Sequence, residues 1–167
     1  MFRFLKTLAR AAEQIQQYIL VVTGLSACLM IMTGAVMRYI LHKDFYGSEE
    51  LILLAAFWLY FIGASLATRE DSHISADLVT SHLKSPFKRQ VTRTVQHAVS
   101  LAISILASAW ACKYIAWSLA RSPKTPALKM PIIWMQAPIL ICFVFSSLYL
   151  IGHLIADIRG FRQRGTS

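Results

Sequence analysis

Charged residues are scarce in this sequence, and acidic residues are the scarcest of them. Charged side chains make up 15% of the 167 residues, whereas a soluble domain usually has about 25%. Only 8 residues are Asp or Glu, against 17 Lys or Arg, and 56% of the chain is hydrophobic. This composition excludes an ordinary soluble domain and predicts an all-α integral membrane protein.

Cysteine is also rare, and the chain lacks the patterns of common catalytic sites. Its 3 cysteines, Cys28, Cys112 and Cys142, all lie in apolar runs, and no two of them have metal-ligand spacing. We interpret them as small side chains in helix packing. The sequence contains no Gly-rich phosphate loop and no compelling Ser/His/Asp or Cys/His order. We therefore predict that the chain is not an enzyme, and we assign no catalytic, metal-binding or substrate-binding residue.

Long apolar runs dominate the rest of the chain. A helix of about 20 apolar residues crosses the hydrocarbon of a bilayer. An amphipathic stretch at residues 2–17 precedes the first run and predicts a helix lying in the membrane interface. We expect one integral membrane domain over residues 1–167 with four transmembrane helices. The predicted spans are residues 18–37, 49–68, 95–118 and 131–155.

Several residues mark the ends of these spans. Ser48 is a suitable cap for the second helix, and Glu49 and Glu50 would lie in its first turn, where the helix dipole favours carboxylates. Pro131 suits the first turn of the fourth helix. Pro138 lies further inside and predicts a kink.

The distribution of Lys and Arg predicts the orientation. The N-terminal arm has three of them, the loop between the second and third spans has five, and the C-terminal tail has three, eleven in all; the other two loops together have five. Basic residues favour the cytoplasmic side of a membrane, so both termini are predicted to be cytoplasmic. The net charge of +9 is explained by this topology, and we expect no binding to nucleic acid.

The polar segment "REDSHISADLV", residues 69–79, follows the second span directly. Apolar residues continue at helical spacing as far as Phe87, so we expect a short amphipathic helix on the cytoplasmic membrane surface. The alternative is a metal site, because His73 and Asp77 are four residues apart and His82 is near them. Two ligands with a loose third are weak support, and we favour the interfacial helix.

The predicted spans have no acidic residue at their centres. Ion-coupled carriers usually need such residues, because a charge at the bilayer centre is costly and is kept for function. This disfavours an autonomous homo-oligomeric carrier. Small residues do follow helical spacing and predict close helix packing, within the chain or onto another membrane protein. The predicted packing stripe on the third helix is Ser100, Ser104, Ser108 and Ala111, and Gly63 and Ala67 make a shorter one on the second.

Two histidines raise one alternative from another class. His97 and His153 are predicted at similar depth near the cytoplasmic ends of the third and fourth spans. Such a pair could ligate haem b, as in the membrane anchor subunit of a respiratory enzyme. We favour a pair of interfacial histidines without a cofactor.

The order of several motifs resembles a known family. An amphipathic segment precedes a span that ends at Arg38. A short loop follows, and then the acid pair, Glu49 and Glu50. The second span ends with the sequence "GASLATREDSHISADL". The sequence is similar, over roughly residues 18–155, to the small (Q-type) membrane subunit of tripartite ATP-independent periplasmic (TRAP) transporters. Phe45 or Tyr46 stands where the family usually has Trp before the acid pair. The matching positions include Arg38, Glu49, Glu50, Gly63, Ala64, Arg69, His73, Ile74 and Asp77.

The resemblance implies a role and a set of partners. Such subunits pair with a large multi-span membrane subunit that moves substrate by an elevator mechanism. A periplasmic substrate-binding protein delivers an organic anion, often a carboxylate, and a sodium gradient drives uptake across the bacterial inner membrane. The small subunit would extend the static scaffold, with phospholipid around it and no cofactor of its own, and sodium would bind the large subunit. The motif residues would then serve assembly. Independently of the resemblance, the short outer loop between Arg38 and the pair Glu49 and Glu50 could fold so that these residues touch.

Overall fold

The computed structural model describes residues 2–70 and 86–164, with side chains over residues 11–70 and 90–159. The predicted interfacial helix and its metal alternative, with His73, Asp77 and His82, lie outside the described residues. Within the described ranges the chain is helical apart from its connecting loops. The helices are α1 (Phe2–Tyr39), α2 (Ser48–Arg69), α3 (Pro86–Arg121) and α4 (Ile133–Arg164).

Each helix contains a segment long and apolar enough to cross a membrane, which confirms the four-span prediction. These segments are Ala11–Tyr39, Ser48–Arg69, Gln90–Arg121 and Ile133–Arg159. Four crossings place both termini at one end of the bundle, here called the terminal end. The loops at residues 40–47 and 122–132 lie at the other end, here called the opposite end. Large apolar side chains such as Leu25, 59% exposed, face outward, as hydrocarbon solvent allows.

α1 is longer than the predicted first span. The backbone is helical from Phe2 to Tyr39 without interruption, so the predicted interfacial helix at 2–17 and the span at 18–37 are parts of one helix. The first described span accordingly begins at Ala11. The placement of residues 2–10 in the membrane interface stays a prediction.

The helices pack in the order α1, α2, α4, α3, with α2 and α4 at the centre. Contacts join α1 to α2, α2 to α4, and α4 to α3. The buried positions of α2 include Ile62 and Ser65, which are 1% and 0% exposed. α1 and α3 therefore flank the bundle, and each leaves much of its circumference on the surface.

The loop before α4 corrects one predicted boundary. Pro131 was expected in the first turn of the fourth helix, but it pairs with Lys124 in an isolated β-bridge, and α4 begins at Ile133. The N–H of Ile132 donates to the carbonyl of Pro123, at 3.1 Å, and the N–H of Thr125 donates to that of Met130, at 2.9 Å. These bonds hold residues 123–132 as a loop, and the first helical residue is Ile133.

Candidate functional site

Arg69, a residue of the family-like motif, joins three helices at the terminal end. Its guanidinium forms an ion pair with the carboxylate of Glu13 on α1. Its main-chain carbonyl accepts a hydrogen bond from Nε2 of His153 on α4, at 3.0 Å. Arg69 lies in the last turn of α2, where a cation suits the negative end of the helix dipole. The residue thus fixes the ends of α1, α2 and α4 relative to one another.

At the terminal end, polar side chains also connect α3 to α4. Nδ1 of His97 lies 2.7 Å from Oδ2 of Asp157, and Nε of Arg93 lies 4.0 Å from Oδ1 of the same carboxylate. The rings of His97 and His153 stack, with centroids 5.3 Å apart. Glu13, Arg69, His97, His153 and Asp157 form what we call the terminal cluster, which includes side chains from all four helices.

The stacked histidines do not fit the haem alternative. Two histidines that share a haem point one ring nitrogen each at the iron from opposite sides of the porphyrin, so their rings cannot stack on each other. The rings of His97 and His153 do stack, with centroids 5.3 Å apart. One nitrogen of each ring is already bonded, that of His97 to Asp157 and that of His153 to Arg69. Over the described residues, no group of three or more His, Cys, Asp or Glu side chains is placed to hold a metal ion.

The sequence pattern predicted no side-chain partner for Arg69, His97 or His153. Asp157 lies four residues after His153 on α4, a spacing that would predict a pair within that helix. The structure instead pairs Asp157 with His97 on α3. Glu13 is the only acidic residue before the first loop, but its pairing with Arg69 joins distant parts of the sequence. Periodicity alone does not show which helices are neighbours, so this pair could not be predicted.

At the opposite end, Glu50 binds the loop before α4. Its carboxylate accepts hydrogen bonds from the backbone N–H groups of Ala127, at 2.7 Å, and Leu128, at 2.9 Å. Its neighbour Glu49 is exposed, and so is Arg38, which forms no ion pair within the described part of the chain. The expected contact of Arg38 with the acid pair is therefore absent there, and Glu50 instead holds the loop on the start of α2.

Gly47 completes this loop contact. It precedes α2 with a φ of +80°, a backbone conformation that favours glycine. A Cβ added at Gly47 would lie 2.7 Å from Cγ of Leu128, so the Leu128 side chain occupies the space that a larger residue would need. The turn at residue 47 and the loop at 122–132 therefore dock as one unit.

Inside the bundle, the predicted stripe on α3 is only partly at a helix interface. Ser104 and Ala111 are buried, Ser108 is partly buried and Ser100 is exposed. Ser104 donates to the carbonyl of Phe143 on α4, at 3.1 Å. The buried polar and small positions on α3 recur every seven residues, at His97, Ser104, Ala111 and Ser118. That is the spacing of helices crossing at a shallow angle.

On α2, Gly63 lies against α1. A Cβ added there would be 3.2 Å from Cδ1 of Leu20, so the glycine permits close approach of the two helices. Near the terminal end, the hydroxyl of Ser146 donates to Oγ1 of Thr68, at 3.4 Å, which links α4 to α2. These contacts join neighbouring helices and therefore have a structural role.

The comparisons with known proteins agree with this architecture. The family model described as "Tripartite ATP-independent periplasmic transporters, DctQ component" matches residues 27–160. No curated protein matches the chain. The matched range covers most of the chain, including the acid pair and Arg69. The chain therefore belongs to the DctQ family, the small membrane component of the tripartite ATP-independent periplasmic transporters.

Proposed function

We propose that this protein is the static scaffold subunit of a sodium-driven, binding-protein-dependent importer of organic anions, carboxylates above all. It would act in the bacterial inner membrane as a single domain over residues 1–167, and it would carry no substrate alone. The single observation that carries the proposal is the match to the DctQ family over residues 27–160. That family contributes a component to a transporter and not an enzyme.

The placement of charge supports a scaffold role. The acidic residues of the described spans lie near the span ends: Glu13 on α1, Glu49 and Glu50 on α2, and Asp157 on α4. A carrier that couples transport to an ion gradient keeps ionisable groups within its membrane interior. In this chain the charges tie helix ends together, which suits a part that stays fixed while another part moves.

The partners follow from the family. A large multi-span membrane subunit would bind sodium and move the substrate, and a periplasmic binding protein would deliver it. The chain would need no cofactor of its own. α1 and α3 flank the bundle and carry exposed apolar side chains, such as Leu29 and Ile103, so their outer faces are available to phospholipid and to the large subunit. Motif residues such as Arg38, His73 and Asp77 are the candidates for assembly contacts.

Reconstitution tests this proposal. Proteoliposomes that hold this chain alone should show no uptake of a labelled organic acid in a sodium gradient. Vesicles that hold it together with the large subunit and the binding protein should show uptake, and the large subunit without this chain should show little. Sodium-dependent uptake by the purified single chain would refute the scaffold role.

The orientation is tested by chemical labelling. In a background without the native cysteines, Lys43→Cys and Arg159→Cys place a thiol at an exposed position at each end of the bundle. A membrane-impermeant maleimide should react in intact cells with the first variant alone. Reaction of the second variant in intact cells would place the termini in the periplasm and overturn the orientation.

A further inference from the structure

A groove opens between α1 and α2 toward the opposite end of the bundle. Near mid-membrane the helices are in contact: a Cβ added at Gly24 would lie 3.4 Å from Cδ1 of Leu59, and one added at Gly63 would lie 3.2 Å from Cδ1 of Leu20. Further along α1, a Cβ added at Gly34 would meet no heavy atom within 4 Å. The two helices therefore separate as they approach the opposite end.

This groove has an apolar part and a polar part. The deeper cavity, with a volume of about 340 Å³, is lined mainly by apolar side chains such as Met30 and Leu54. The outer cavity, of about 820 Å³, is lined on α1 from Ile31 to Tyr39, and its lining includes Gly34 and several charged and aromatic residues. Met30 of the deeper cavity and Gly34 of the outer cavity lie one helical turn apart on α1.

The outer part carries charges of both signs. Arg38 lines it on α1, and Asp44 and Glu49 line it on the loop and the start of α2. All three are exposed, and in the described part of the chain Arg38 forms no ion pair. Glu50 also lines the cavity, but its carboxylate is bonded to the amides of the loop before α4. One basic and two acidic groups are thus available where the first described span ends and the second begins.

We propose that this groove binds one phospholipid with a zwitterionic headgroup that ends in a primary ammonium. The guanidinium of Arg38 donates to the phosphate oxygens, a pairing that its planar fork favours. The ammonium donates to the carboxylates of Asp44 and Glu49. One acyl chain passes Gly34 and lies in the apolar cavity beside Met30. Hydrocarbon surrounds this part of the bundle, so the apolar cavity suits a lipid tail and not a water-soluble ligand.

The match of charges selects among phospholipids. Trimethylation of the ammonium removes its hydrogen-bond donors, and a glycerol headgroup removes its positive charge. The first lipid would lose the directed bonds to Asp44 and Glu49, and the second would meet these carboxylates with no compensating cation. We therefore expect phosphatidylethanolamine to bind more tightly than phosphatidylcholine or phosphatidylglycerol.

Native mass spectrometry of the full-length chain in detergent tests the site. Added phosphatidylethanolamine should remain bound as a single adduct, with an affinity roughly tenfold above that of the other two lipids. Arg38→Gln should weaken the retention of all three lipids, because each has the phosphate that Arg38 binds, and the double variant Asp44→Asn, Glu49→Gln should remove the preference. Gly34→Leu should block the acyl chain, and it should fold because leucine is the better helix former. Equal retention of the three lipids, or full retention by Gly34→Leu, would overturn the proposal.

Matched controls are available for Arg38→Gln and Gly34→Leu. Lys43→Gln removes a basic residue of the same loop that does not line the cavity. Gly152→Leu adds the same side chain at another helical glycine with no heavy atom within 4 Å of an added Cβ. Both controls should retain the lipid like the unsubstituted chain.

The competing occupant is a helix of the large subunit. A photoreactive phosphatidylethanolamine added to membranes that hold the assembled transporter should label residues between 23 and 58 of this chain. Absence of label there, together with a disulfide crosslink between Gly34→Cys and the large subunit, would show that a partner helix fills the groove and would refute the lipid site.

Discussion

The indole N–H of Trp58 on α2 donates a hydrogen bond to the main-chain carbonyl of Trp134 on α4, at 3.0 Å. That carbonyl lacks the usual helical donor, because the residue four positions later is Pro138, which has no N–H. An unsatisfied carbonyl in the hydrocarbon region is costly. Trp58 therefore supplies across the helix interface the donor that the proline removes.

Replacing Trp58 with Phe should destabilise the chain. The ring remains, but the carbonyl of Trp134 loses its donor, at a cost of roughly 0.5–1.5 kcal/mol. Trp134→Phe is the matched control, because the acceptor is its backbone carbonyl and its side chain is 58% exposed. Thermal unfolding in detergent should show a lower midpoint for Trp58→Phe alone.

A double substitution separates this bond from simple packing. Pro138→Ala supplies an N–H that can bond the carbonyl of Trp134 within α4. In that background, Trp58→Phe should cost clearly less than in the native chain. Equal costs in the two backgrounds would mean that packing of the indole, and not its hydrogen bond, is what Trp58 contributes.

Glu50 should protect the backbone amides of the loop before α4 from hydrogen exchange. In Glu50→Gln the side chain has one acceptor oxygen in place of two, and its amide N–H₂ would face a backbone N–H. Hydrogen exchange at Ala127 and Leu128 should accelerate, by roughly tenfold. Glu49→Gln is the control, since Glu49 is exposed, and it should leave exchange unchanged. Equal exchange rates in Glu50→Gln and Glu49→Gln would mean that the Glu50 carboxylate does not hold the loop. The packing of the Leu128 side chain against Gly47 would then be the contact that does.

The ion pair of Glu13 with Arg69 should appear as coupling in a double-mutant cycle. Its side chains are 20% and 33% exposed, so solvent screens the pair in part, and we expect a coupling of about 1 kcal/mol. The cycle uses Glu13→Gln, Arg69→Gln and the double variant, with stability measured by steric trapping in bicelles. Glu70→Gln, at an exposed neighbouring acid, should combine additively with Arg69→Gln. If the effects of Glu13→Gln and Arg69→Gln are also additive, the ion pair makes no contribution to stability.

The number of membrane-spanning helices could be predicted, because it depends on a local property of the sequence. A run of about 20 apolar residues predicts a span wherever the chain goes afterwards. Pro131 was placed wrongly, because the bonds from Thr125 and Ile132 that decide its backbone form within a folded loop. α1 was divided into two helices because an amphipathic pattern and an apolar run follow one another, although nothing in the backbone separates them.

The contacts of the motif residues were less predictable than their positions. Glu50 and Arg69 were singled out by sequence, but their partners lie far along the chain, at Ala127, Leu128 and Glu13. Those partners depend on the packing order of the helices. A single sequence carries little information about that order, since the four spans are similarly apolar. The roles of His73 and Asp77 stay predictions.

Absorption spectroscopy tests the respiratory alternative. The stacked rings of His97 and His153 predict that the purified chain shows no Soret band and no α band on reduction. His97→Ala should leave the visible spectrum unchanged, and it should lower stability because it removes the 2.7 Å contact with Asp157. A stoichiometric haem signal that this substitution abolishes would revive the haem-anchor function.

The two serines of the predicted stripe should behave differently. Ser104 is 4% exposed and bonded to α4, so Ser104→Leu forces a larger side chain into a packed interface and should cost about 1–3 kcal/mol. Ser100 lies one turn earlier on α3 and is exposed, so Ser100→Leu should change the stability of the isolated chain by less than about 0.5 kcal/mol.

The yield of the complex with the large subunit is a second measurement for Ser104→Leu and Ser100→Leu. Ser104→Leu should lower the yield of complex in proportion to its loss of stability in the isolated chain. Ser100→Leu should preserve that stability, so any loss of co-purification with the large subunit would come from the surface of α3 itself and would assign Ser100 to the partner interface. Full co-purification would make Ser100 a lipid-facing residue. Equal destabilisation of the isolated chain by both substitutions would contradict the assignment of the α3 interface to the buried positions that recur every seven residues.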